Sequence, residues 1–233
     1  GLSSFLIVGE TSSFGSGGVD GYAVQVDLFG SIEWSKTYGN IGNDYLKGAF
    51  TGNDNGLVFG GHTTSNGAGM ADVHLLRADQ YGNIQCDQGG AATLVSSPTV
   101  VESSPSVTTT SGTGVRGTTM GQGAIALGVD TVCAITAVNA EDYEKKFQKV
   151  LGGLSPDYCY SVDRTVDGGY VFAGKTQSFG AGGNDMYVIK TDENVDVEWS
   201  KIYGGSSEEI AYSIIQTIDG GYIIGGSSTS FGS

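Results

Sequence analysis

The chain has 233 residues, 40 of them glycine, and a formal net charge of −14 from 25 acidic and 11 basic side chains. So few cations argue against a nucleic-acid partner, whose condensed counterions Lys and Arg must replace, and against anionic membrane surfaces. No apolar run nears the ~20 residues of a helical membrane span, and the glycines follow no Gly-X-Y period, which excludes collagen.

The length suits one sizeable all-β domain. An acidic chain rich in Gly, Ser and Thr fits a secreted, extracellular protein. It opens GLSSFLIVGE, without Met, and so reads as processed or excerpted from something longer. The first predicted element is the strand SFLIVGETS (4–12). From Ser12 the chain reads SSFGSGGVDGYAVQVDLFGSIEWSKTYG, and from Gln177 it returns as QSFGAGGNDMYVIKTDENVDVEWSKIYGG. Phe179 and Phe231 stand 52 positions apart (231 − 179), as do Asp20 and Asp72 (72 − 20). A fixed period of this size marks a repeat architecture.

Each copy holds four short strands bounded by Gly, Asp or Asn. In the last copy these are 185–192, 197–204, 209–218 and 221–228. Alternation puts Tyr187, Ile189 and Thr191 on one face of the first of them, with Val188 and Lys190 on the other. Tyr22, Val24 and Val26, then His74, Leu76 and Ala78, match the first set. Gln25, Arg77 and Lys190 share one repeat position, read as the solvent-facing one. TVDGGY (165–170) and TIDGGY (217–222) carry Asp-Gly between β-rich runs, a hairpin signal, and GNDNGL (52–57) offers Asn-Gly for the same turn. Four antiparallel strands per copy is the pattern of a propeller blade. A β-solenoid is the alternative, and the hairpin turns favour the propeller.

The motifs DGGY-[IV]-x-x-G (Asp167–Gly174), S-F-G-x-G-G-x-D (Ser178–Asp185) and W-S-K-x-Y-G (Trp199–Gly204) resemble the β-propeller-type repeats of secreted bacterial and archaeal proteins. The resemblance spans residues 1–86 and 146–233. It implies an all-β, propeller-like array in which Trp34, Phe147, Trp199, Tyr170, Tyr222, Gly168 and Gly220 build the repeat. It leaves function open, because propellers host binding, structural and enzymatic roles alike.

Residues 87–145 interrupt the middle copy. Trp34 to Phe147 is 113 positions (147 − 34), so about 61 residues (113 − 52) are inserted. The segment is rich in Ser, Thr and Val, with SSPTV (96–100) echoed by SSPSV (103–107). Two readings compete: a disordered, O-glycosylated tract over 94–119, or short strands forming a flap. The Val/Thr content and GAIALGVDTVCAITAV (123–138) favour ordered β. Cys86 and Cys133 sit near the ends of the insertion, and a disulfide between them would tie its base in an oxidising compartment. Cys159 is left over and reads as a small buried residue. EDYEKKFQKV (141–150) is the one helix-like run.

Candidate chemistry is sparse. His74 takes a Tyr position of the repeat and reads as packed. His62 aligns with Glu10, Lys175 and Ser227, a variable position expected to face solvent. No Ser-His-Asp or Cys-His spacing and no phosphate loop is present, so neither a catalytic residue nor a cofactor is assigned. Asp20, Asp72 and Asp185 recur after Gly-rich loops. They read as turn caps, with calcium as the weaker functional reading. The nearest calcium-loop match, Asp192-x-Asn194-x-Asp196, has Val197 where Gly is needed and Tyr203 where Glu is needed.

SFLIVGETS (4–12) matches GYIIGGSST (221–229), which leaves three four-stranded copies and one extra strand. Propellers usually carry at least about four blades, so the chain reads as a slice of a longer propeller, as one of several chains that close a ring together, or as lending its extra strand to a neighbour, since an unpaired strand edge recruits another. The expectation is an extracellular, non-enzymatic structural protein that partners itself as an oligomer, polymer or filament. The alternative is a module that binds extracellular glycans or another ligand.

Overall fold

The computed structural model describes residues 4–52, 54–68, 70–84, 95–97, 100–102, 128–133 and 147–230. It is all-β, with no helix among the described residues, and its repeat strands form four antiparallel sheets. The first sheet has three strands, β1 (Ser4–Thr11), β2 (Asp20–Asp27) and β3 (Ile32–Tyr38). The second runs β4 (Asp44–Thr51), β5 (Leu57–Thr63) and β6 (Asp72–Ala78). Within the insertion lie the short paired strands β7 (Val95–Ser97) and β8 (Val100–Glu102), and then β9 (Gly128–Cys133). The second sheet is completed by β10 (Phe147–Gly152), and β9 adds itself to the edge of β10.

The third sheet is β11 (Asp157–Arg164), β12 (Tyr170–Thr176), β13 (Asp185–Thr191) and β14 (Val197–Tyr203). The fourth is the pair β15 (Glu209–Gln216) and β16 (Tyr222–Ser228). The sheets form no closed ring or barrel among the described residues.

The strands lie where their periodicity puts them, but the grouping starts at another phase. A sheet begins with the strand that precedes the DGGY turn, and the link after W-S-K-x-Y-G crosses to the next sheet. The extra strand β1 is not alone: it pairs along its whole length with β2, and its other edge pairs with no strand among the described residues.

Consecutive sheets stack face to face, and each junction has its own core. Ala23 and Tyr38 of the first sheet meet Leu46, Leu57, Phe59 and Leu76 of the second. Val58, Val73, Leu75 and Leu151 of the second meet Cys159, Tyr170, Phe172, Tyr187 and Ile189 of the third. Val171, Ala173 and Val188 of the third meet Ala211 and Ile214 of the fourth. The two middle sheets are therefore covered on both faces, and the first and fourth on one.

Candidate functional site

Each junction is clamped where the strand that opens on the recurring aspartate (β2, β6 or β13) meets the first strand of the next sheet. The backbone N–H of Asp44 donates to the Val19 carbonyl at 2.6 Å, that of Asp157 to Ala71 at 2.6 Å, and that of Glu209 to Asn184 at 2.7 Å. The residue after each acceptor is the recurring aspartate. Asp20 thus faces Asp44, Asp72 faces Asp157, Asp185 faces Glu209, and all six are buried. Gly39, Gly152 and Gly204 lie between the partners. A Cβ on Gly39 would collide with Asp20 Oδ1 and stand 2.9 Å from Asp44 Oδ2, so the W-S-K-x-Y strand must end on glycine.

One oxygen of each first-strand aspartate is well held. Asp44 Oδ2 accepts the Asn40 N–H at 2.9 Å and the Ser65 hydroxyl at 2.5 Å. Asp157 Oδ2 accepts the Gly153 N–H at 2.8 Å and the Ser178 hydroxyl at 2.7 Å. Asp20 Oδ1, Asp44 Oδ1 and Asp157 Oδ1 accept no hydrogen bond. Burial, then the charge of Asp44, pushes the Asp20 carboxyl up to about 6. Burial, then Glu209, raises Asp185. A neighbouring carboxylate disfavours the charged form of a buried one.

Each calcium candidate (Asp20, Asp72, Asp185) meets one other acid, whereas calcium takes roughly six to eight oxygens. Among the described residues no three His, Cys, Asp or Glu side chains converge as a metal site. The calcium-loop match closes a turn instead, with Asp192 Oδ1 accepting the N–H of Asn194 at 2.9 Å and of Asp196 at 2.8 Å.

The structure corrects the expectation for His62, which is buried. Its ring stacks on Tyr45 at 4.5 Å and meets the edge of Tyr158 at 5.0 Å. Strand β5 is covered on both faces, so a variable repeat position there is still an interior one. Burial lowers the His62 pKa to about 4. His74 is buried as its Tyr position suggested, with Nε2 2.6 Å from the Gln148 amide nitrogen. Cys159 is buried, and burial lifts its thiol to about 12. Cys86 lies outside the described residues, as do residues 141–146 of the helix-like run. The rest of that run, from Phe147, is strand.

A second correction concerns the position read as solvent-facing. Arg77 and Lys190 are buried. Arg77 bonds the Glu193 carbonyl and pairs with Asp54 at 3.0 Å. Lys190 Nζ reaches the Thr191 carbonyl at 2.7 Å, Glu198 at 2.8 Å and Asp167 at 3.0 Å. Alternation separates two faces of a strand, and here neither face of the sheet is wet.

The repeat-building residues take structural places. Gly168 and Gly220 have φ of 89° and 85°, the left-handed conformation that closes the DGGY turn. Asp167 and Asp219 accept from Thr165 and Thr217 and cap the backbone of Gly169 and Gly221. Tyr170 is buried in the second junction, and Trp34 packs into the first. Trp199 meets Tyr222 edge-on at 5.7 Å. Phe147 opens β10 opposite Arg77.

One feature escaped the sequence reading. A bulge interrupts the first strand of three sheets at the same place, beside Lys47, Tyr160 and Tyr212. A row of rings crosses these strands: Tyr158 to Tyr160 at 6.1 Å, then Tyr160 to Tyr212 at 5.9 Å. Lys47 sits 5.1 Å over the Tyr45 ring and Lys175 sits 4.8 Å over Tyr158. The recurrence of Lys47, Tyr160 and Tyr212 at one repeat position was the available signal.

The two end sheets present apolar faces. On β1, Phe5 is 58% exposed and Ile7 is 55% exposed. On the fourth sheet Ile215 and Ile223 are cross-strand partners, 52% and 57% exposed. The residues that hold the places of Phe5, Ile7 and Ile223 in the third sheet, Tyr170, Phe172 and Val171, are at most 1% exposed.

Compared with known proteins, the chain matches no family model and no curated protein.

Proposed function

We propose that this chain is an extracellular, non-enzymatic structural protein that self-associates, its sheets serving as propeller-type blades in a larger assembly. The observation that carries the reading is the pair of apolar end faces, made of positions that the interior junctions bury. Contiguous exposed apolar surface on an otherwise acidic protein marks an interaction site. Among the described residues no strand pairs with the outer edge of β1 or β16, and a further strand would satisfy the backbone groups there.

The titratable groups support a structural role. Both histidines are buried with pKa lowered to about 4, and the Cys159 thiol is protonated at neutral pH. Light scattering on a sizing column across a range of concentrations tests the reading. Oligomers or filaments are expected. A monomer at every concentration would overturn it.

Glycan binding is the second reading, favoured by the aromatic row and its two lysines. Rings of this kind stack on sugar faces. Thermal stabilisation by a soluble polysaccharide, lost in Tyr212→Ala, would support it.

A further inference from the structure

We infer that copies of this chain associate head to tail, the outer face of the fourth sheet in one copy seating on the outer face of the first sheet in the next. The inference rests on the self-association reading above and names the surfaces and the partner.

The interior junctions supply the template. In each, one sheet offers the face that carries Leu6, Val58 or Val171, and the next offers the face that carries Leu57 and Phe59, Tyr170 and Phe172, or Tyr222 and Ile224. The repeat assigns the exposed residues to those two faces. Ile223 holds the place of Val58 and Val171. Ile215 holds the place of Phe50, which packs into the second junction, and of Asp163, whose carboxylate accepts the Gln216 N–H across the third. Phe5 holds the place of Leu57 and Tyr170, and Ile7 that of Phe59 and Phe172.

The fourth sheet therefore exposes the part of an offering face that its two strands supply, and the first sheet exposes a receiving face built without the first repeat strand, so this contact rests on apolar packing and not on the backbone clamp of the interior junctions. The halves differ, so neither face complements itself, and a two-fold dimer would not bury both. A heterologous contact of this type gives a ring if the rotation closes and a filament if it does not. The exposed pair Ile215–Ile223 on one face, and Phe5 and Ile7 on the other, bring no charge to the contact.

Two blocked variants test the inference. Ile223→Lys blocks the tail and Phe5→Lys blocks the head, and each side chain is exposed, so both variants are expected to fold. Their thermal melts under dilute conditions verify this. Each variant alone should assemble about tenfold or more weakly than the parent, because a lone charge would be buried in an apolar contact. Mixed together, the two should form a dimer and stop, since one intact head and one intact tail remain. Assembly that survives both substitutions would overturn the head-to-tail geometry and leave self-association standing. A folded pair of variants that assembles poorly alone and gives no dimer on mixing would also overturn it. A parent chain that stays monomeric overturns both.

Discussion

His62 and Cys159 tie the second sheet to the third: the imidazole Nδ1 lies 3.2 Å from the Cys159 carbonyl oxygen. The carbonyl can only accept, so Nδ1 carries the proton. Desolvation outweighs that bond and the charge of Glu10, with Lys47 adding to the lowering, and holds the histidine near 4. The folded pKa lies below the unfolded 6.5, so the unfolded chain binds the extra proton between them. This contribution to stability is full above pH 6.5 and is lost as pH falls towards 4. The slope is at most about 1.4 kcal/mol per pH unit. Urea unfolding from pH 7 to 4 should show the loss, and His62→Gln should make that segment shallower, the buried His74 supplying the remainder.

The Asp20–Asp44 pair runs the other way. Asp20 is raised from 3.8 to about 6 by burial and then by Asp44. Its contribution is present below pH 3.8 and is lost as pH rises through 6. Asp20→Asn keeps an acceptor for the Ser16 backbone and supplies a donor towards Asp44. At pH 8 the variant should be more stable than the parent by about 1 kcal/mol, with little difference at pH 4. Equal stabilities at pH 8 would show that the pair carries no strain.

Val195 adopts φ of 61° at the repeat position where Gly30 and Gly82 have 83° and 73°. A β-branched residue is strained there, yet Val195 is fully buried in the second junction. Val195→Gly relieves about 1–2 kcal/mol of strain but removes a buried side chain worth somewhat more, so the net loss should be about 1 kcal/mol. Gly82→Val has no such offset: a Cβ there would stand 2.7 Å from the Tyr38 hydroxyl and 3.0 Å from Trp34. It should be the more destabilising change by chemical denaturation.

Strand positions were legible in the sequence because Tyr187, Val188 and Ile189 alternate cleanly and the DGGY turns fix their ends. The recurrence of Asp20, Asp72 and Asp185 was legible too, but its partner was not. Asp44, Asp157 and Glu209 belong to the next sheet, and a one-dimensional repeat does not show which strand crosses a junction. The same limit explains Lys190 and His62. Alternation tells the two faces apart, whereas stacking decides whether either is wet. The aromatic row depends on a bulge, which shifts Tyr160 relative to its neighbours without leaving a turn residue as a sign.

Equivalent positions should respond differently to truncation. Phe172→Ala cuts into a buried junction and should cost about 3–5 kcal/mol. Ile7→Ala, at the same repeat position on the first sheet, should cost under about 1 kcal/mol in dilute protein. Its cost should rise where the protein is assembled. Thermal denaturation at two protein concentrations checks both halves of the statement.

Backbone hydrogen exchange followed by mass spectrometry, with dilute and concentrated protein side by side, tests the central claim most directly. The account predicts slowed exchange on concentration in β1 and in β15–β16, with the middle sheets unchanged. Protection confined to other segments, or none in either end sheet while larger species are present, would contradict it.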